Sequence, residues 1–289
     1  PAGTAQALWN WPQGPATYAD SAIVMDMNSG AVLYSKQIEK KHYPASITKL
    51  LTTLVALDNA ELTDTVEFSQ DSISFLEYGD AHIGMTPGEQ ISMEDALYAV
   101  LLASANEVSY AVAESVGKKM GGGYDTFIQA MNDESEKLGC TGSHWTNANG
   151  LHDEQHYTTA HDMARIGAAV YQKEAFRTIS QSLSHTIPVT NLVNEERTFQ
   201  QKHKMLWPQN DNYYEYCKGG KTGYTDQART TLVTMADNGD MQLVAVVLYD
   251  FGNDAYIDTR AMFDYPPVKG NAPSHVLRSY SSLSADQTH

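Results

Sequence analysis

The chain has 289 residues, 42% of them hydrophobic and 19% charged, which excludes a disordered polymer. A chain of this length buries about three quarters of its surface on folding and needs no disulfide or metal staple. Nineteen Lys and Arg against 35 Asp and Glu give a formal charge of −16, which disfavours nucleic acid and anionic lipid as partners. The longest purely apolar run, residues 243–249, is far short of the ~20 residues a membrane helix needs.

Residues 1–17 carry Trp9, Trp11 and several prolines without a period and read as a tail. The chain opens on Pro1, so an upstream segment is expected to have been removed. Residues 22–26 and 31–34 are largely apolar, with Asn28-Ser29-Gly30 between them, and predict a hairpin. Residues 46–57 follow Pro44 and place Ile47, Leu50, Leu51, Leu54 and Val55 at helical spacing. A helical block then runs over 96–102, 107–116, 124–138 and 160–171. Ser92 with Asp95 caps the first of these, and Thr159 with Asp162 caps the last. Strands are predicted over 184–189, 218–224, 230–236 and 241–249, then a closing helix over 254–263. Residues 266–289 are polar after Pro266-Pro267 and read as a second tail.

This order lacks sequential βαβ units, so a doubly wound parallel sheet is not expected. It predicts an α+β fold: an antiparallel sheet flanked by helices, with an all-helical insertion over about 60–175. Cys140 and Cys217 form no C-x-x-C pair and read as two unpaired thiols, with a Cys140–Cys217 disulfide as the alternative. Dinucleotide, P-loop and G-x-S-x-G signatures are absent.

A different set is present: Ser46-Ile47-Thr48-Lys49, Ser104-Ala105-Asn106 and Lys221-Thr222-Gly223. S-x-x-K alone is uninformative. About one match arises by chance in such a composition, and Ser115–Lys118 is a second. K-T-G is rarer, at about 0.07 chance matches. Physics separates the two S-x-x-K matches. Ser46 stands at a helix start, where free N–H groups favour developing negative charge, with Lys49 one turn on. Ser115 stands at a helix end, where the dipole opposes an alkoxide. For Lys49 to act as a base its amine must be neutral near pH 7, roughly 4–5 kcal/mol from its free behaviour. Burial and a second cation, Lys221, would supply that. Ser104 and Asn106 can share a cleft only if residues 103–107 break the helix. Gly223 allows close backbone approach beside a strand edge that can bind an extended peptide.

These segments resemble the serine D-alanyl-D-alanine carboxypeptidases, the low-molecular-weight penicillin-binding proteins. The resemblance rests on Tyr43-Pro44-Ala45-Ser46-Ile47-Thr48-Lys49-Leu50, residues 101–107, Asn147-Ala148-Asn149-Gly150-Leu151 and residues 219–225. It covers residues 18–265, read as one catalytic domain of β-lactamase/DD-peptidase type. The chain departs from the pattern at Glu107-Val108, where Asp-Ala is commoner, and at Arg229, where glycine is usual.

The resemblance implies that Ser46 is the nucleophile, Lys49 its base, Ser104 a proton relay to the leaving amine and Asn106 a positioning group. Lys221 and Thr222 would hold the substrate carboxylate beside Gly223. The backbone N–H groups of Ser46 and Tyr224 would form an oxyanion hole. It implies peptidoglycan stem peptides as substrate and β-lactam antibiotics as covalent inhibitors, with no metal or cofactor. Action is expected outside the cytoplasm, in a bacterial cell envelope. Many members carry a C-terminal domain and a membrane anchor; any membrane association is expected through a segment absent from this chain.

The competing readings are a β-lactamase with Glu154 as extra base, a DD-endopeptidase, and a non-catalytic binder. A metallopeptidase using His152, His156 and His161 would need a helix where Gly150, Thr158 and Thr159 predict a loop.

Overall fold

The structure, a computed structural model, describes residues 12–265 and Val268. The expected tails therefore lie outside the described residues except for 12–17 and Val268. Residues 12–17 have no regular element and are strapped to the body. Pro12 O accepts from Tyr265 Oη at 2.5 Å, Pro15 O from Tyr34 Oη at 2.9 Å, and Thr17 O from Lys36 Nζ at 2.8 Å.

Strands β1 (Ser21–Asp26) and β2 (Val32–Lys36) form the expected hairpin. Asp26 closes its turn by accepting from the Asn28 and Ser29 amides. A 3-10 turn, Ala45–Thr48, leads into α1 (Lys49–Asn59). Short strands β3 (Thr65–Glu67) and β4 (Gln90–Ser92) pair around α2 (Asp71–Ser74). Next come α3 (Met93–Tyr98), α4 (Asn106–Lys119), α5 (Tyr124–Lys137), α6 (Ala160–Tyr171) and α7 (Glu174–Ser180). A second small pair, β5 (Ser184–Ile187) and β6 (Arg197–Gln200), precedes β7 (Cys217–Thr225), β8 (Arg229–Asp237), β9 (Gln242–Asp250) and α8 (Asp254–Asp264).

The main sheet is antiparallel in the order β2-β1-β9-β8-β7, which leaves β7 on an edge. Alternation along its strands feeds two cores, so these strands are apolar on both faces. Val244 and Val246 join Ile23, Val233 and Met235 against α1 and α6, where Leu50, Leu51, Leu54, Met163 and Ile166 are buried. Leu243, Ala245 and Val247 face the other way, onto Tyr256, Met262 and Phe263 of α8. Each fully buried residue of this kind contributes about 1.5–3 kcal/mol. The fold is thus the expected α+β arrangement, an antiparallel sheet between helices with a helical block inserted after α1.

The capping expectations hold. Ser92 Oγ accepts from the Asp95 amide and Thr159 Oγ1 from the Asp162 amide, each at 3.1 Å. The helix expected over 96–102 does not stay regular: α3 ends at Tyr98 and a π turn covers Ala99–Ala103. β5 falls within the strand expected over 184–189. β3, β4, β6, α2 and α7 were not anticipated, because elements of three to seven residues are too short to show a period. Cys140 and Cys217 are buried and unpaired, and burial pushes each thiol up to about 12. Among the described residues no helix is long and apolar enough to cross a membrane.

Candidate active site

The turn Ala45–Thr48 sets Ser46 just ahead of α1, and Lys49 opens that helix. Lys49 reaches back one turn, its Nζ 2.9 Å from Ser46 Oγ. The same amine donates to Asn106 Oδ1 at 2.8 Å and to the Asn149 carbonyl at 2.6 Å. Lys49 is fully buried. Burial first, then the fields of Lys221 and Lys202, holds its amine well below the usual lysine range. The other S-x-x-K match is elsewhere: Ser115 lies within α4, and Lys118 pairs with Glu114 at 3.7 Å.

The break expected at 103–107 is present. After the π turn, Ser104 takes a left-handed conformation (φ 59°), Ala105 is extended, and Asn106 starts α4. A π turn and a left-handed serine are costly local choices that cluster at functional sites. Here they let Ser104 and Asn106 line one cleft. Asn106 also donates its amide to Ala81 O at 2.8 Å, and Glu107, buried, accepts from the Ile83 amide at 2.7 Å. Together they pin the loop that forms one cleft wall. Burial raises the Glu107 carboxyl above its ordinary value.

The opposite wall is the exposed edge of β7. A Cβ on Gly223 would lie 2.3 Å from Thr231 Oγ1 and 3.0 Å from Ser46 N, so only glycine lets this strand approach the serine turn. Thr231 in turn donates to Pro44 O at 2.8 Å and ties β8 to the same turn. Gly150 has φ +89°, and a side chain there would collide with Ala45 O. Asn147 Oδ1 accepts from the Gly150 amide at 2.8 Å, which shapes the tight turn that presents the Asn149 carbonyl to Lys49.

The cleft measures about 920 Å³ and is lined by Ser46, Ser104, Asn106, Thr222, Gly223 and Tyr224 among others. Lys221 is buried and does not line it; its Nζ donates to Thr222 O at 2.8 Å. Burial, and then the nearby Lys202, lowers the Lys221 amine to about 7. Lys202 does line the cleft, and its own amine is lowered by the enclosing walls. Sequence reasoning missed Lys202 and the Asn149 carbonyl. A carbonyl has no residue-type signature, and nothing local relates Lys202 to the three motifs.

Residues 151–157 form a loop, as expected. His156 is buried there, with Nε2 2.8 Å from Thr48 Oγ1 and Nδ1 accepting from the Thr146 amide at 2.9 Å. Both ring nitrogens are thus committed inside the fold. Glu154 lines a separate cavity beside the cleft.

A family model described as D-alanyl-D-alanine carboxypeptidase, peptidase S11, matches residues 10–252. The D-alanyl-D-alanine carboxypeptidase DacB2 of Mycobacterium tuberculosis is 32% identical over 264 residues, covering 88% of this chain and 83% of its own length. DacF of Bacillus subtilis is 30% identical over 238 residues, 79% of this chain and 57% of that protein. The chain likewise spans 60% of DacC of Escherichia coli, at 31% identity over 86% of this chain. A crystal structure of a D-alanyl-D-alanine carboxypeptidase from Mycobacterium tuberculosis superimposes with a TM-score of 0.78 at 30% identity, covering 89% of this chain and 94% of that one. The Streptomyces K15 DD-transpeptidase shares the fold, with a TM-score of 0.78 at 22% identity over 88% of this chain and 98% of that one. The matched span contains every element that walls the cleft, from β1 to β9, and the chain belongs to the D-alanyl-D-alanine carboxypeptidase family, peptidase S11.

Proposed function

We propose that the protein is a serine DD-carboxypeptidase that removes the terminal D-alanine from peptidoglycan stem peptides. The observation that carries this reading is the contact between Lys49 Nζ and Ser46 Oγ, 2.9 Å long and made by a fully buried lysine. A lysine held well below its usual range gives up its proton more readily than a free one, and only a neutral amine can accept the serine proton. Its other contacts, to the Asn106 and Asn149 oxygens, aim the amine without a carboxylate that would lock it in the charged form.

Ser46 Oγ then adds to the carbonyl between the two D-alanines, and Lys49 takes its proton. The bond to the terminal D-alanine breaks, and its nitrogen leaves as a neutral amine after protonation through Ser104. Lys49 next activates water, which attacks the acyl-Ser46 ester and restores the serine. Amides at the start of the serine turn and on the β7 edge stabilise the oxyanion. The substrate carboxylate meets Thr222, with the charge of Lys221 behind it and Lys202 on the cleft wall. On this reading β-lactams acylate Ser46 as well, and a cell-wall substrate implies action outside the cytoplasm. A β-lactamase needs an added base for fast deacylation; Glu154 lines another cavity and does not supply one at Ser46.

The test is D-alanine release from a peptide ending in D-Ala–D-Ala, by the protein and by its Ser46→Ala variant. The proposal requires release by the first and none by the second. Release by both, or by neither, overturns it.

A further inference from the structure

Besides Ser46, two elements grip the Lys49 amine: the start of α4 through Asn106, and the loop over residues 144–158 through the Asn149 carbonyl. That carbonyl belongs to the backbone, so its direction is set by whatever locates the loop. One face of α1 does so. Thr48 closes the serine turn, Thr52 lies one helical turn on, and both are fully buried. Thr52 Oγ1 donates to Ala148 O at 2.7 Å, one residue before the carbonyl that meets Lys49. Thr48 Oγ1 lies 2.8 Å from Nε2 of His156.

His156 joins that face of α1 to the loop. Its Nδ1 accepts from the Thr146 amide at 2.9 Å. A backbone amide only donates, so in the neutral ring Nδ1 is bare and Nε2 carries the hydrogen. Nε2 therefore donates to Thr48 Oγ1. Burial keeps the ring neutral, and a charged ring would set a second donor against the Thr146 amide. Trp145 packs edge-on against the ring, 5.4 Å between centroids, and its indole donates to Ser135 Oγ of α5 at 3.0 Å. The ring thus has one tautomer and one orientation, with both nitrogens bonded. It is buried and does not line the cleft, so its bonds act on the loop and not on a ligand.

These contacts form a closed circuit. Thr48 meets His156, and His156 meets the Thr146 amide. Three residues later Asn149 O meets Lys49, the chain neighbour of Thr48.

We infer that His156 is a positioning residue for the reaction, holding the Asn149 carbonyl on Lys49 through its bonds to Thr48 and Thr146. The assignment rests on the DD-carboxypeptidase reading above. The carbonyl aims the amine at Ser46, and by accepting from the ammonium it favours the charged form. Without its pin the carbonyl moves away, and the amine loses both aim and an acceptor. The rate then falls while Lys49 releases its proton at lower pH. Lys221, Lys202, Glu107 and Asp80 also act on the Lys49 charge and stay in place.

The experiment measures D-alanine release from an acetylated peptide ending in D-Ala–D-Ala as a function of pH, with the Tm of each variant beside it. Thr48→Val keeps the side-chain shape and removes the acceptor. His156→Ala removes both bonds. His156→Gln offers one acceptor and one donor at about the spacing of the ring nitrogens. Thr48→Val and His156→Ala should each lower kcat about ten- to a hundredfold with little change in KM. The acid limb of kcat/KM should move about one pH unit lower in both. The double variant should be no slower than His156→Ala, because both changes break one link. His156→Gln should restore both rate and limb relative to His156→Ala. Should His156→Ala fail to fold, Thr48→Val and His156→Gln carry the test. A purely structural role lowers the rate in equal proportion at every pH, so slowed variants with an unmoved limb overturn the inference. Unchanged kcat in Thr48→Val overturns it too, while the carboxypeptidase reading stands. No release by the unmutated protein overturns that reading and the inference with it.

Discussion

A neutral amine beside a serine survives only where water and counter-ions are held away from it. Lys49 meets that condition by burial and by two cationic neighbours, Lys221 and Lys202. Lys221 is itself lowered to about 7. The two lysines then have opposite requirements, since Lys49 must be neutral to take a proton and Lys221 charged to attract a carboxylate. The predicted kcat/KM profile is a bell, rising as Lys49 loses its proton and falling as Lys221 loses its own, with the alkaline limb near pH 7. In kcat that limb moves to higher pH, because a bound carboxylate stabilises the charged Lys221. Lys202→Gln removes a repelling charge, raises both amines and shifts the whole kcat/KM profile to higher pH; an unchanged or acid-shifted profile contradicts this electrostatic account. At this scale the sequence was readable where chemistry resides in side chains at fixed local spacing, as for Ser46 with Lys49. It was silent on the Asn149 carbonyl and on Lys202, which reach the site through tertiary packing.

At the scale of elements, the site is a meeting of the serine turn, the break before α4 and the edge of β7. The long elements could be read because α5 and α6 repeat a helical burial pattern. β8 and β9 carry unbroken buried runs of apolar and small residues, the mark of a strand covered on both faces. The break was deducible only by demanding that Ser104 and Asn106 face one cleft; no breaker residue marks it, and a π turn has no distinct pattern. The close approach of β7 to the serine turn rests on Gly223. Gly223→Ala would drive its new methyl into Thr231 Oγ1, which is held to Pro44 O. Overpacking there should cost about 1–3 kcal/mol of stability, read as a fall in Tm. Displacing the strand from Ser46 should lower kcat/KM by up to about a hundredfold. A variant with full activity would show that the strand need not approach so closely.

Across the whole molecule, a charge of −16 surrounds a cleft whose nearest charged groups include three lysines. Buried titratable groups also set how the fold responds to pH. His156 and His203 are kept neutral by burial, at about 3 and about 4 against 6.5 when free. Their contribution is full above about pH 6.5 and is lost as pH falls toward those lowered values. Asp250 acts in the opposite direction. Burial, together with a hydrogen bond shared with the Asp258 carboxyl, raises its carboxyl to about 7. Its contribution is full below about pH 4 and is lost as pH rises through 7. Asp250→Asn should therefore raise Tm relative to the unmutated protein more at pH 8 than at pH 4.5. Thermal melts at the two values test this, and an equal change at both would mean that Asp250 does not titrate in that window.

The nucleophile is the centre of the account, and acylation reports it directly. The measurement is the intact mass of the chain after brief exposure to a β-lactam, followed by mapping of the modified peptide. The account predicts one added antibiotic mass, on Ser46, and none in Ser46→Ala. An adduct on Ser104, on Ser115 or on any other residue of the unmutated protein would contradict it.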